Sequence, residues 1–128
     1  MSPRGETILS ARRVRVVDDN PQVARLVAMV LTDAGCSVTV CDGGPAALAL
    51  LGEEAAVWDI AVIDYEMPGV GGDGVAAAIR AGRPRTGLVL LTGAPDRAAP
   101  VHHLFDLVLA KPVRPERLVE ALATLLED

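Results

Sequence analysis

The chain has 128 residues, of which 51% are apolar, and a formal net charge of −5. This length fits one domain with its own core, and the acidic balance argues against direct nucleic-acid binding, which normally needs a basic surface. No apolar run reaches membrane-spanning length and the N-terminus lacks an apolar signal core, so we predict a soluble, cytoplasmic protein without membrane insertion.

Strand-like and helix-like segments alternate along the chain. The polar residues 1–11 are predicted to form a flexible N-terminal tail, and residues 12–127 to form the domain. Asn20-Pro21 is typical of an N-cap followed by proline at the first helical position. Strands are predicted at 12–17, 37–41, 59–63, 88–91 and 106–110, and helices at 21–34, 45–51, 73–81, 95–103 and 115–126.

Two smaller features of the composition also carry expectations. Cys36 and Cys41 are an odd number of positions apart, so on a strand they point to opposite faces and lie too far apart for a disulfide. We therefore expect both to be buried, reduced thiols. Arginines near the N-terminus, among them Arg12, Arg13 and Arg15, are interpreted as a solvated tail and strand edge.

The five strand–helix repeats predict an α/β fold. Such a (βα)5 chain forms a doubly wound parallel sheet with helices on both faces, and ligands bind at the carboxyl ends of its strands. Charged and hydroxyl residues follow four of the predicted strands: Asp18, Asp19, Asp64, Thr92 and Lys111. By contrast, Asp59 and Asp106 each follow an aromatic residue at a strand start, so we predict a capping role for them.

This set of residues matches the chemistry of a phosphoryl group. Lys111 is the only lysine in the chain, and an ammonium is a compact point charge for a phosphate oxygen. Three converging carboxylates resist ionising together, and Mg²⁺ would stabilise them through hard oxygen ligands. A threonine hydroxyl adds a hydrogen-bond donor, and one aspartate is available as nucleophile.

The motifs Val16-Val17-Asp18-Asp19-Asn20, Ile63-Asp64-Tyr65-Glu66-Met67-Pro68-Gly69, Leu90-Leu91-Thr92-Gly93 and Ala110-Lys111-Pro112 occur in this order. With them the chain closely resembles a response-regulator receiver domain of bacterial two-component signalling, over roughly residues 12–127. The resemblance implies a flavodoxin-like strand order 2-1-3-4-5 and a cis peptide bond at Lys111-Pro112. It further implies a stand-alone, single-domain regulator that is no enzyme beyond its own phosphorylation and dephosphorylation.

The resemblance also implies a role for each site residue. Asp64 would be phosphorylated from a phosphohistidine, carried by a histidine kinase or a histidine phosphotransfer protein. Asp19 would ligate Mg²⁺ directly, Asp18 would hold waters around it, and Asp64 and the Glu66 backbone carbonyl would complete the protein ligands. Thr92 and Lys111 would hold the phosphoryl oxygens, and the output would be contact with an unknown downstream protein.

Three positions depart from the family pattern. Val108 stands where the family has its switching aromatic, three residues before Lys111. The stretch between Thr92 and Lys111 is short and contains two prolines, which predicts a short or irregular fourth helix. Glu66, two residues after Asp64, could compete with phosphate for Lys111 or Mg²⁺, or could steer the hydrolytic water.

Two alternative functions are compatible with parts of this pattern. A degenerate receiver would bind a partner without phosphorylation. The intact set of Asp18, Asp19, Asp64, Thr92 and Lys111 argues against it, and Val108 keeps it open. An aspartyl-phosphate phosphatase of the haloacid dehalogenase type uses similar residues, but its nucleophile follows the first strand. The run 69–74 also fits G-x-G-x-x-G, but it follows the third strand, so we interpret it as a glycine-rich loop and not as a dinucleotide site.

Overall fold

A five-stranded parallel sheet forms the centre of this computed structural model, which describes residues 8–53, 57–67 and 71–127. Its strands are β1 (Arg13–Val17), β2 (Ser37–Cys41), β3 (Ile60–Asp64), β4 (Gly87–Thr92) and β5 (Leu107–Ala110). Its helices are α1 (Pro21–Asp33), α2 (Gly44–Glu53), α3 (Gly72–Gly82), α4 (Pro95–Ala98) and α5 (Pro115–Leu126). A 3₁₀ helix (Ala99–Leu104) continues directly from α4.

The strands lie in the order β2-β1-β3-β4-β5, and every adjacent pair is parallel. The predicted α/β fold class, with its doubly wound sheet and order 2-1-3-4-5, is confirmed. The register pairs Asp64 with Leu91 and Thr92 with Ala110, so the carboxyl ends of β3, β4 and β5 meet at one edge of the sheet. The residues that follow these strands are thereby brought together.

Apolar side chains cover both faces of the sheet. On one face Val14 and Val16 of β1 pack against α1 and α5, and on the other face Val17 packs against α2 and α3. β3 is buried along its whole length, as expected for a strand with helices on both sides. The thiols of Cys36 and Cys41 are free and buried, and they belong to opposite faces as predicted.

Capping side chains act at several of the predicted positions. The Asn20 side chain accepts hydrogen bonds from the backbone N–H groups of Gln22 and Val23, and Pro21 begins α1. Asp59 accepts from the backbone N–H of Arg13, and Asp106 accepts from that of Leu88, each at 2.8 Å. Both acids therefore act at strand starts, as predicted.

The predicted boundary of the N-terminal tail is wrong for residues 8–11. Leu9 is fully buried in the same core as α1 and α5, and the Ala11 N–H donates to the Gly35 carbonyl at 2.8 Å. Gly35 has a φ of +101°, which glycine adopts without strain, and it ends α1 beside Ser10. The packed domain therefore includes residues 8–11, while residues 1–7 lie outside the described part of the chain.

The prediction that Arg15 is solvated is also wrong. Its side chain is 1% exposed, and its guanidinium carbon lies 5.5 Å from the centroid of the Trp58 ring. The Arg83 guanidinium contacts the same ring at 5.2 Å. A cation over an indole face gains electrostatic attraction, and the aliphatic stem of the arginine packs as an apolar group.

The connection between β4 and β5 is short and irregular, as predicted. α4 spans only Pro95–Ala98, and Pro100 lies inside the 3₁₀ helix that follows. A proline removes a backbone donor and clashes with a continuing α-helix, which explains the early end of α4. No helix in the described ranges is long and apolar enough to cross a membrane.

Candidate functional site

Three acidic side chains meet at the carboxyl edge of the sheet. Asp64 is the last residue of β3, and Asp18 and Asp19 directly follow β1. One carboxylate oxygen from each lies within 4.8 Å of the others. Asp18 and Asp64 are 3% and 5% exposed, whereas Asp19 is exposed to solvent. The structure thus brings together the three acids that the sequence placed in one site.

Burial is the largest influence on the two inner carboxyls. It raises the pKa of Asp64 above its ordinary value of 3.8, while the hydrogen bond from Lys111 opposes that rise. Burial likewise raises the pKa of Asp18, while the hydrogen bond from the Asn20 backbone N–H and the charge of Lys111 oppose it. These buried negative charges would be stabilised by additional positive charge at the site.

Lys111 supplies a cation to this cluster. Its ammonium donates to Asp64 Oδ1 in a short contact and lies 3.9 Å from Asp18 Oδ2. It directly follows β5, and its backbone N–H donates to the Thr92 carbonyl at 2.8 Å. The Lys111-Pro112 peptide bond is cis, as predicted. Lys111 therefore lies between the two most buried acids.

Thr92 ends β4, the strand next to β3, and is fully buried; its neighbour Leu91 pairs with Asp64. Its hydroxyl oxygen accepts a hydrogen bond from the Ala94 backbone N–H at 3.0 Å. This bond ties the hydroxyl to the start of the β4–α4 loop. A movement of the Thr92 side chain would therefore displace that loop first.

The Glu66 side chain has a different partner from those expected. It lies 3.5 Å from the Arg97 guanidinium on α4, and both side chains are more than half exposed. This ion pair connects the β3–α3 loop with α4. No sequence signal pointed to Arg97, because neither the β3–α3 loop nor α4 has a regular periodicity that would predict the contact.

Gly72 is a second residue whose role the sequence did not reveal. A Cβ atom at this position would lie 2.7 Å from the Asp64 backbone carbonyl oxygen and 3.1 Å from the Tyr65 Cα. Only glycine allows α3 to begin this close to the end of β3. The run 69–74 therefore contains a glycine needed for packing, although Gly69 and Val70 lie outside the described residues.

The donor set fits a small, hard divalent cation. Asp18, Asp19 and Asp64 offer carboxylate oxygens at one point, and oxygen ligands of this kind suit Mg²⁺. With Lys111 and Thr92 at its rim, the cluster can neutralise a trigonal group of oxygens around an aspartate. Among the described residues no other group of three acidic, histidine or cysteine side chains is arranged to hold a metal ion.

The sequence matches a family model described as the response regulator receiver domain, over residues 14–123. The transcriptional regulatory protein TcrA of Mycobacterium tuberculosis is 35% identical over 121 residues, which cover 91% of this chain and 47% of that protein. The sensor histidine kinase GacS of Pseudomonas protegens is 34% identical, covering 91% of this chain and 14% of its own length. The chain thus spans about half the length of TcrA and much less of GacS.

Solved structures give the same fold. The response regulator TrrA of Thermotoga maritima, solved in complex with Mg²⁺-BeF, has a TM-score of 0.80 and 28% identity, covering 89% of this chain and 98% of its own. The chemotaxis protein CheY4 of Vibrio cholerae also has a TM-score of 0.80, with 26% identity and coverages of 91% and 99%. This chain is therefore similar in both sequence and architecture to proteins of one signalling family.

Proposed function

The chain belongs to the response regulator receiver domain family of two-component signalling, and we propose that it accepts a phosphoryl group on Asp64. The donor would be a phosphohistidine, and the phosphorylated form would change a contact with another protein. The observation that carries this proposal is the buried Asp64 carboxylate in contact with Lys111 and beside Asp18 and Asp19.

The transfer would proceed by direct attack of one Asp64 oxygen on phosphorus. The P–N bond to the donor imidazole breaks as the P–O bond forms, and the imidazole leaves with the electron pair and takes up a proton. Lys111, which contacts Asp64 before transfer, is placed to move its ammonium onto a phosphoryl oxygen. The buried Thr92 hydroxyl accepts from the Ala94 N–H, and its own O–H would donate to a second oxygen.

The acids would hold the metal ion that this reaction needs. We propose that Asp18, Asp19, Asp64 and the Glu66 backbone carbonyl form the protein's contribution to a Mg²⁺ site. When bound, Mg²⁺ supplies positive charge that neutralises the acids and an equatorial oxygen of the phosphoryl group. The complex of TrrA with Mg²⁺-BeF supports this assignment by analogy within the family.

The partners follow from the same proposal. GacS is a sensor histidine kinase and TcrA is a transcriptional regulatory protein, so relatives of this chain occur in both kinds of protein. We propose a histidine kinase or histidine phosphotransfer protein as donor, and a protein as the receiver of the signal. The chain itself would catalyse only its own phosphorylation and dephosphorylation.

A second candidate function is a receiver that binds its partner regardless of phosphorylation. Val108 favours it, because the aliphatic side chain has no ring to report the state of Thr92. The family match favours a receiver over the aspartyl-phosphate phosphatase alternative, whose nucleophile follows the first strand, whereas Asp64 ends β3. Phosphorylation of the isolated chain separates the two candidates that are left.

The decisive experiment is incubation with acetyl phosphate and Mg²⁺, followed by intact mass measurement. We expect one phosphate adduct, which is absent when EDTA is present and absent in Asp64→Ala. The control is Asp42→Ala, which removes an exposed acid near the same edge and should leave the adduct unchanged. An adduct that persists in Asp64→Ala overturns the assignment, and a wild-type chain that never gains one favours the binding module.

A further inference from the structure

Within the part of the chain that the structure describes, the outer edge of β2 lacks the usual protection of an exposed strand. β1 covers one side of β2, and no described strand pairs with the other side. Its five residues, Ser37–Cys41, include neither a charge nor a proline. Natural proteins normally block such an edge with charged residues, proline or a covering segment, because open backbone groups recruit further strands.

The backbone groups on that edge can be assigned from the pairing with β1. The Ser37 N–H donates to Arg12 at 2.7 Å, and the Cys41 carbonyl accepts from Asp18 at 3.2 Å. Backbone groups alternate between the two sides of a strand, so Ser37, Thr39 and Cys41 face β1. The N–H and C=O groups of Val38 and Val40 therefore face outward.

A groove of about 500 Å³ runs beside this edge, between α1 and β2. Two exposed apolar side chains line it, Met29 at 56% and Val40 at 46% exposed. Arg25 and Asp33 line the same groove, four residues before and four residues after Met29. Residues at this spacing share one face of a helix, so α1 carries a stripe that is positive at one end, apolar in the middle and negative at the other.

This stripe is complementary to an inverted copy of itself. We propose that the face formed by β2 and by Arg25, Met29 and Asp33 of α1 is the interface of a homodimer with a twofold axis. The axis would pass between the two Thr39 residues, so that the β2 strands pair antiparallel. Val38 of each copy would then exchange both backbone hydrogen bonds with Val40 of the other, giving four bonds.

The same axis brings the helices into register. With α1 lying over β1 and β2 and strands about 4.8 Å apart, the two α1 helices would lie about 10 Å apart, an ordinary packing distance. They would run antiparallel, with Met29 against Met29 and Arg25 against the Asp33 of the second copy. Strand pairing and helix charge thus require the same partner, namely a second molecule of this chain.

The charges favour a second copy over an unrelated protein. Within the described ranges Arg25 and Asp33 make no ion pair, and both are exposed. An isologous interface uses the same patch on both subunits and must place opposite charges symmetrically about its centre, as they are placed here. The proposal does not depend on phosphorylation, so Asp64→Ala should dimerise like the wild type.

A charge reversal tests the interface directly by sedimentation across a dilution series. In the proposed dimer Arg25 of each copy faces Asp33 of the other, so Arg25→Asp or Asp33→Arg turns both symmetry-related ion pairs into pairs of like charges. Each variant should weaken dimerisation about tenfold or more. The double variant Arg25→Asp with Asp33→Arg restores both pairs and should dimerise again. A wild type that stays monomeric at every concentration overturns the proposal, as does a dimer that neither single reversal weakens.

A cysteine substitution tests the axis independently. Met29→Cys should give a disulfide-linked dimer on mild oxidation, since the two positions face each other across the axis. Leu26→Cys is the matched control: it lies on the same helix and is 63% exposed, but it is outside the groove and should form no disulfide-linked dimer. Native Cys36 and Cys41 are buried and should not interfere. Equal crosslinking of both variants, or none with Met29→Cys, refutes this geometry.

Discussion

At the scale of single residues, Lys111 is held between the two buried carboxylates of the site. It is the only lysine in a chain with twelve cationic residues. Its ammonium touches Asp64 and lies 3.9 Å from Asp18, so the space around it is bounded by two buried carboxylates. An ammonium is compact, whereas a guanidinium is planar and wider, and the two are not interchangeable in such a space.

We therefore expect Lys111→Arg to slow phosphorylation by acetyl phosphate about tenfold or more, although the charge is kept. The rate of adduct formation is read by mass spectrometry at fixed Mg²⁺. Arg114→Lys, a charge-conserving change at an exposed position three residues away, should keep the wild-type rate. A Lys111→Arg variant with wild-type kinetics would remove the argument from ammonium size.

The buried Asp18 gives a prediction about stability and pH. Its pKa is raised from 3.8 in the folded state, mainly by burial, so the folded chain binds this proton more tightly than the unfolded chain does. The stability that comes from keeping the Asp18 carboxyl protonated is therefore fully present below the ordinary pKa of 3.8. It is lost as the pH rises through the pKa of the folded state. At neutral pH the ionised carboxylate destabilises the metal-free fold.

Asp18→Asn should therefore raise the free energy of unfolding at neutral pH in EDTA by about 1 kcal/mol. The Asn20 backbone N–H, now 2.9 Å from Asp18 Oδ1, can donate to the amide oxygen instead. Urea unfolding at neutral and at acidic pH measures the effect, which should shrink as the pH falls. Stabilisation that is equal at both pH values would show that the charge is not its cause.

At the scale of elements, the β4–α4 loop is placed to transmit the state of Thr92. The hydroxyl of Thr92 holds the Ala94 N–H, and α4 ends after four residues. Arg97 on α4 reaches back to Glu66 on the β3–α3 loop. On β5, by contrast, Val108 is partly buried against the core between the sheet and the α2–α3 side, and it is stiff at χ1.

We expect phosphorylation to change the conformation of this loop and not that of β5. Amide exchange with and without beryllofluoride, a phosphoryl mimic, should show increased protection at 92–100 and little change at 107–110. Thr92→Ala should abolish the difference, while Val108→Ala, which leaves the hydroxyl in place, should preserve it. A response centred on β5 would contradict this route for the signal.

The sequence predicted the elements well where periodicity or capping is strong. α1 and α5 were placed within one residue of their observed ends, because Asn20-Pro21 and Pro115 mark their starts and apolar spacing defines their faces. The contact between Glu66 and Arg97 was not predicted, because it depends on how the β3–α3 loop and α4 approach each other. Local patterns carry no information about such an approach.

At the scale of the whole molecule, the alternation of strand and helix was enough to predict the fold and the edge at which the site lies. It did not predict which arginines enter the core. Arg15 is buried because Trp58 presents a ring to its guanidinium, and that pairing joins β1 to the segment just before β3. The predicted tail failed for a related reason, since Ile8 and Leu9 are only two apolar residues in a polar segment and are too few to show a periodicity.

The buried Leu9 gives a test of where the folded unit begins. It is fully buried against the α1–α5 side of the sheet, and Gly35 at the end of α1 closes over its neighbour Ser10. Leu9→Ala should lower the free energy of unfolding by about 3 kcal/mol, as expected for a buried leucine that leaves a cavity. Ser10→Ala changes an exposed side chain in the same segment and should alter stability by less than about 0.5 kcal/mol. Urea unfolding of the two variants measures both effects. If Leu9→Ala proved as stable as the wild type, residues 8–11 would belong to a tail after all, and the folded domain would begin at β1.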